Sequence, residues 1–361
     1  MVTLTDDIKS VKTLTDLLLL AVQKEASDVH LVSGLPPVFR VDGRLIKMEA
    51  PVLTGEEVWT LVQEVLSEDR KKEFKVSKEL DFAFSVGEHR RVRGNLHYEK
   101  GEVACALRLI PKVVPSFESL GLPKTVKEFT LLPRGLVLVT GPTGSGKSTT
   151  LASLIHIINH SRRSHIITVE DPIEYLHEHG DSIVEQREVG EDTRSFSESL
   201  RRVLRQDPDV ILVGEMRDLD TISTAVTAAE TGHLVFSTLH TNDAVQTVDR
   251  LVDVFPPHQQ QQIRIQLSMT LCGVVAQQLL PRIDGPGRVV ACEILVVNSA
   301  VRNLIRKGQS AEIASMIEIG GKFGMQTMDS ALATLYKLRK ISMEEALSRA
   351  VNQEQLKQLI H

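Results

Sequence analysis

The stretch GLVLVTGPTGSGKST, residues 135–149, decides how the rest of the chain is read. Its first six residues, GLVLVT, form the kind of short apolar run that makes a strand of a parallel sheet. The next residues fit the pattern G-x-x-x-x-G-K-[ST] through Gly141, Gly146, Lys147 and Ser148, between a predicted strand and a predicted helix. The glycines permit a backbone that turns successive N–H groups toward phosphate oxygens, and the helix start adds its positive end. Lys147 is suited to neutralise the β- and γ-phosphates, and the Ser148 hydroxyl to ligate Mg²⁺. The residues expected to cradle ATP are therefore Gly141, Pro142, Thr143, Gly144, Ser145, Gly146, Lys147, Ser148 and Thr149.

Downstream, SHIITVE (164–170), DVILVGE (209–215) and GHLVFSTLH (232–240) alternate with helical stretches, the pattern of a parallel sheet in an α/β domain. In such a sheet ligands bind at the carboxyl ends of the strands. Glu170 and Glu215 both end predicted strands, so both point toward the phosphate edge. Glu215 is the expected partner of Ser148 at the metal, while the sequence leaves open which carboxylate polarises the attacking water. Two histidines flank the last of these strands. At ~3.3 Å per residue they lie roughly 23 Å apart, so one ligand cannot touch both. His240 follows the carboxyl end and is placed to hydrogen-bond the γ-phosphate; His233 precedes the strand and is read as structural.

The chain has 361 residues, 42% apolar and 25% charged, enough for two or three domains of ordinary globular composition. Residues 1–110 read as a mixed α/β domain. A helix is expected near Leu14–Ala26, and TGEEVWTLVQEVLSEDRKKEF (54–74) reads as one amphipathic helix capped by Thr54. Between and after them run strands joined by turns such as Asp42-Gly43 and Val86-Gly87. PKVVPSFESLGLP (111–123), with its three prolines, is the expected interdomain linker. Residues 124–297 form the expected nucleotide-binding core, and 298–361 a C-terminal helical region. Lys and Arg total 42 against 47 Asp and Glu, a net charge of −5, and aromatic residues make up 4%. That balance speaks against nucleic acid as a partner. Three widely spaced cysteines, Cys105, Cys272 and Cys292, contain no CxxC pair and fit a reducing compartment. The start MVTLTDD is acidic where a signal peptide is basic, and LLLLAV (17–22) is far short of the ~20 residues of a span, so a cytoplasmic location is expected.

Four blocks stand in order: GPTGSGKST, ITVEDPIEY, DPDVILVGEMRD and TGHLVFSTLHTN. Together they resemble the secretion and type IV pilus ATPases, whose signatures are a phosphate loop, an aspartate box, a second acidic strand and a histidine box. SDVHLVSGLPPVFRVDG (27–43) resembles that family's N-terminal domain, so the likeness covers nearly the whole chain. It implies an α/β fold of a PAS-like N-terminal domain and a RecA-like P-loop ATPase domain ending in a helical bundle. It also implies a homohexamer in which arginines of the N-terminal domain complete the ATP site. In RRVRGNLHYEKGEVACALRLIP (90–111), Arg91, Arg93 and Arg108 match the family's positions. Lys100 stands where many relatives carry arginine and lacks the planar fork.

AVRNLIRKG (300–308) resembles the AIRNLIR motif of the PilT-like retraction ATPases, and SMIEIGGKFGMQTMD (315–329) continues that resemblance. Extension and type II secretion motors usually carry a longer N-terminal region and a four-cysteine segment, and this sequence shows neither. The resemblance thus implies a motor for pilus retraction and twitching motility. Its partner would be an inner-membrane pilus platform protein, through which it would associate peripherally with the membrane. An extension or secretion motor, or a DNA-translocating relative, is the alternative. Within the motif Ala300, Val301, Arg302, Asn303, Leu304, Ile305 and Arg306, a short helix is expected, capped by Asn298 or Ser299 and ended by Gly308. Val301, Leu304 and Ile305 would dock it, leaving Arg302, Asn303 and Arg306 to meet the platform or a neighbouring subunit.

Overall fold

The run GLVLVT forms a strand with every residue buried, as do VILV and LVFSTL further along. A strand apolar on both faces needs cover on both faces, so these become the central strands of a sheet. The computed structural model describes residues 13–41, 43–86, 90–110, 113–285 and 287–360. It divides into two compact units, Met1–Val113 and Val114–His361.

The first unit is built on six antiparallel strands: β1 Asp28–Leu31, β2 Val38–Val41, β3 Arg44–Lys47, β4 Glu79–Val86, β5 Arg90–Glu99 and β6 Glu102–Leu109. Their order is β3-β2-β1-β6-β5-β4. The helix Leu14–Gln23 starts at Thr13, which forms a reciprocal capping box with Asp16 and buries Leu14, Leu17 and Leu18. Residues 54–74, expected as one helix, form two, Gly55–Val62 and Glu68–Ser77. The break comes from Leu66, which is extended, and Ser67, whose hydroxyl accepts from the Arg70 N–H and starts a new helix. A helical unit and an antiparallel sheet are compatible with the expected PAS-like domain. Of the two expected turns, Gly43 has φ +77, while Asp42 and Gly87 lie outside the described residues.

The second unit holds seven strands: β7 Gly135–Thr140, β8 His165–Glu170, β9 Ile183–Glu188, β10 Val210–Val213, β11 Leu234–Leu239, β12 Leu271–Pro281 and β13 Arg288–Val296. The order is β13-β12-β7-β11-β10-β8-β9, parallel throughout except for the antiparallel pair β12–β13. The carboxyl ends of β7, β8, β10 and β11 therefore share one edge. Three of these strands, β9, β12 and β13, lie outside the four apolar runs singled out in the sequence. The expected linker 111–123 is part of this unit from residue 114 onward, because Phe117 and Leu122 bury their side chains in its core. The C-terminal region is helical, as expected. Ile313 and Ile317 join the main core, whereas Leu332, Ile341, Ala346 and Leu356 form a smaller one with Leu280 and Ala291. Among the described residues no helix is long and apolar enough to cross a membrane.

Candidate active site

The shared carboxyl edge opens into a cleft of about 470 Å³ lined by the phosphate loop, Glu170, Glu174, Tyr175, Glu215, Arg217 and His240. The loop leaves β7 through Gly141, whose φ of +139 suits glycine. A Cβ there would meet the Gln277 carbonyl oxygen and the Ser145 hydroxyl. Gly146, at φ +87, then starts the helix Lys147–Ser161 with no side-chain cap. The first-turn N–H groups of that helix are thus left for an anion, with the dipole in support. Lys147 folds back so that its Nζ donates to the carbonyls of Gly141 at 2.8 Å and Pro142 at 3.1 Å. Burial lowers its pKa, against the pull of Glu215 and Glu174. A phosphate arriving here meets an ammonium already held in place. Thr149 Oγ1 lies 3.0 Å from the Tyr175 hydroxyl, which secures the far side of the cleft.

The two carboxylates differ in state. Burial pushes Glu170 up to about 7, although Thr168 Oγ1 donates to it at 2.7 Å and Gln186 Nε2 at 3.2 Å. A carboxyl poised near neutrality, facing the cleft, is suited to take a proton from water. Glu215 feels burial too, but Arg217 Nε at 2.7 Å and His240 Nε2 at 3.2 Å outweigh it and hold the carboxyl below its ordinary range. It stays charged. The surroundings of the two carboxyls thus differ, burial dominating at Glu170 and cationic neighbours at Glu215.

His240 stands past the end of β11, exposed to the cleft, while His233 precedes the strand at the opposite edge. His233 is occupied with the end of a helix: its Nδ1 lies 2.9 Å from the Ala228 carbonyl and its own N–H donates there at 3.2 Å. Arg93 and Arg108 belong to the first unit, opposite one another on β5 and β6. Arg108 Nε donates to Asp28 at 2.8 Å, which orients the guanidinium, and both arginines keep exposed side chains. Arg91 is on β5 as well. Lys100 occupies the left-handed position of the hairpin joining β5 and β6, at φ +52, with its ammonium on Glu99.

The motif helix runs Ser299–Lys307. Asn298 caps it by accepting from the N–H groups of Ala300 and Val301, and Gly308 ends it at φ +72. Val301 and Ile305 are fully buried and Leu304 packs beside them. The expectation for Arg302 needs correction. Its Nη1 donates to the carbonyls of Ser268 at 2.8 Å and Met269 at 2.7 Å, near the end of the helix Pro257–Thr270. Unsatisfied carbonyls at a helix end attract a cation, so Arg302 fastens the motif down. Asn303 and Arg306 remain exposed.

Several site residues escaped the sequence reading. Arg217 sits two positions after Glu215, and its signal was the GEMRD string itself. Thr168 and Gln186 become visible only once β8 and β9 pair in register. Gln277, buried on β12, donates to the Ser145 carbonyl at 2.7 Å and accepts from Thr150 Oγ1 at 3.0 Å, so it braces the phosphate loop from a distant strand.

The chain as a whole is similar to known proteins. The family described as "Type II/IV secretion system protein" matches residues 3–357. The chain is 47% identical over 337 residues to the type IV pilus retraction ATPase PilT of Pseudomonas aeruginosa, covering 93% of this chain and 98% of that protein. It is also 47% identical over 320 residues to a twitching motility protein of Neisseria gonorrhoeae, covering 89% and 86%. A crystal structure of the pilus retraction motor PilT with bound ADP superposes with a TM-score of 0.90 at 48% identity, covering 96% of this chain and all of that one.

Proposed function

The chain belongs to the type II/IV secretion system protein family, and from that premise we propose that it is an ATP-hydrolysing motor that drives type IV pilus retraction. The observation that carries this is convergence: the phosphate loop, Glu170, Glu215 and His240 come from four different strand ends and meet in one cleft. Nucleotide enters with its β- and γ-phosphates against the loop N–H groups and Lys147. The Ser148 hydroxyl and the Glu215 carboxylate are hard oxygen donors, the kind that suits Mg²⁺, and they would hold it. When bound, that cation would neutralise charge on the phosphate oxygens. Glu170 accepts the proton of the attacking water at its carboxylate, held in position by Thr168 and Gln186. Glu215 remains ionised through Arg217 and His240. His240, beside Glu215, hydrogen-bonds the terminal phosphate and so distinguishes ATP from ADP.

In this reading the chain works as a homohexamer at the cytoplasmic face of the inner membrane, bound to the pilus platform protein rather than inserted in lipid. Arg93 and Arg108 of one subunit complete the ATP site across an interface. Their adjacency on β5 and β6 supports this, since two guanidinium groups on one face suit the spread charge of a phosphoryl group. The exposed Asn303 and Arg306 side of the motif helix is the surface offered to the platform or to a neighbouring subunit. The test of shared sites is subunit mixing. Arg108→Ala and Lys147→Ala are each expected to lose nearly all turnover, because an arginine supplied across an interface is worth ~1,000-fold or more. Mixed rings should recover part of it, since some interfaces then carry both intact halves. Mixed rings without recovery would exclude arginines acting in trans.

A further inference from the structure

The hairpin of β12 and β13 touches two phosphate-facing loops from neighbouring rungs. Gln277 braces the phosphate loop, and on the next rung Ala276 stands opposite Glu293. The Glu293 Oε1 accepts from the N–H of Ala244 at 2.8 Å. Ala244 opens the helix Ala244–Asp253, four residues after His240. Among the described residues, the other hydrogen bonds of the intervening loop stay with its own helix: Asp243 accepts from Gln246 N–H at 2.7 Å, and Thr241 and Thr247 hydroxyls lie 2.7 Å apart. Among the hydrogen bonds of the described residues, Glu293 thus supplies the tie from that helix start to the sheet.

Glu293 is an expensive residue for this place. Burial pushes its carboxyl up to about 7, the Ala244 bond opposes that, and Asp243 and Asp329 push the same way as burial. Among the described residues it has no cationic partner in an ion pair. A carboxylate set among carboxylates costs stability that an apolar side chain of the same size would not. Its geometry points to another use. We propose that Glu293 is a positioning residue for the histidine loop, fixing how far His240 reaches toward the terminal phosphate and thereby setting the preference for ATP over ADP. This rests on His240 being the residue that meets the terminal phosphate. The physical link is short. Without an acceptor at Ala244 the helix start keeps its core packing but loses its hydrogen bond to the sheet, and a displacement of about 1 Å takes a hydrogen bond at His240 out of range.

The experiment measures affinities for ADP and for a non-hydrolysable ATP analogue in wild type, Glu293→Met, Glu293→Asp, Glu293→Gln, His240→Ala and the Glu293→Met/His240→Ala double variant. Methionine fills the space without an acceptor, aspartate keeps the charge but draws it back, and glutamine keeps an oxygen within reach. Glu293→Met and Glu293→Asp should lose about tenfold in preference for the ATP analogue, the order expected for one hydrogen bond to a charged group. ADP affinity should stay within about twofold, since the phosphate loop is braced separately by Gln277. Glu293→Gln should restore most of the preference. The double variant should be no worse than His240→Ala alone, because both remove one interaction. If His240→Ala leaves the preference intact, the reading of His240 fails. If His240→Ala abolishes it while the methionine and aspartate variants match wild type, or lose both nucleotides equally, the Glu293 proposal fails by itself. Should Glu293→Met not fold, the contrast of Glu293→Asp with Glu293→Gln decides, and equal behaviour of those two overturns the proposal.

Discussion

Replacing Glu170 by glutamine should damage activity and improve stability in the same molecule. Burial raises this carboxyl from 4.5 to about 7. In the unfolded chain it ionises at the ordinary value, so between those two points the folded state holds a proton that the unfolded state has lost. Folding therefore grows less favourable as pH rises from 4.5 to 7, and the deficit is constant above. A displacement of that size corresponds to about 3 kcal/mol at pH 8 and to less than about 1 kcal/mol at pH 5. Glutamine never ionises, and its oxygen can still accept from Thr168 and Gln186, so the variant avoids the deficit. Chemical denaturation without nucleotide should therefore find Glu170→Gln more stable than wild type at pH 8, by up to about 3 kcal/mol, with the gap closing toward pH 5. Turnover should fall ~100–10,000-fold with loss of the general base. Wild-type turnover should rise through pH 7 as Glu170 loses its proton, and the residual rate of the variant should lack that rise. A variant that turns over within about fivefold of wild type, or that is destabilised at pH 8, would refute the reasoning.

Glu215→Gln removes a charge that Arg217 and His240 keep ionised, so ATP should still bind in a direct binding assay while turnover drops ~100–1,000-fold. Arg302→Ala takes the donor from two carbonyls near a helix end and should cost about 1–3 kcal/mol in a thermal or chemical melt. Arg306→Ala, on the exposed side of the same helix, should stay within about 0.5 kcal/mol of wild type and keep ATP binding, yet slow pilus retraction in video microscopy.

What the sequence disclosed was whatever local pattern carries by itself. A glycine-rich turn between an apolar run and a helix can do little except bind phosphate, and the parallel order of β7, β11, β10 and β8 then put Glu170, Glu215 and His240 at one edge. The two histidines were separable because a strand has two ends. Gln277 was not legible, because its partners Ser145 and Thr150 are more than a hundred residues away and nothing local separates it from its neighbour Gln278. Arg302 was misjudged for a related reason. Helical spacing placed it away from the apolar stripe, but a long guanidinium reaches the end of a neighbouring helix whose position no local pattern reveals. Gln186, which donates to Glu170, was hidden because it lies on β9, a strand whose residues IVEQRE mix apolar and charged types without the look of a core strand.

Conversion of ATP hydrolysis into pilus shortening by this chain is tested most directly in living cells. Pili are labelled in a strain that lacks the chain and individual filaments are followed, with wild type or Glu170→Gln returned on a plasmid. A retraction motor predicts that the deletion strain still makes pili, that these extend without shortening, and that wild type but not Glu170→Gln restores shortening. A deletion strain without pili would mark the chain as an extension motor, and pili that shorten normally in its absence would contradict a role in retraction.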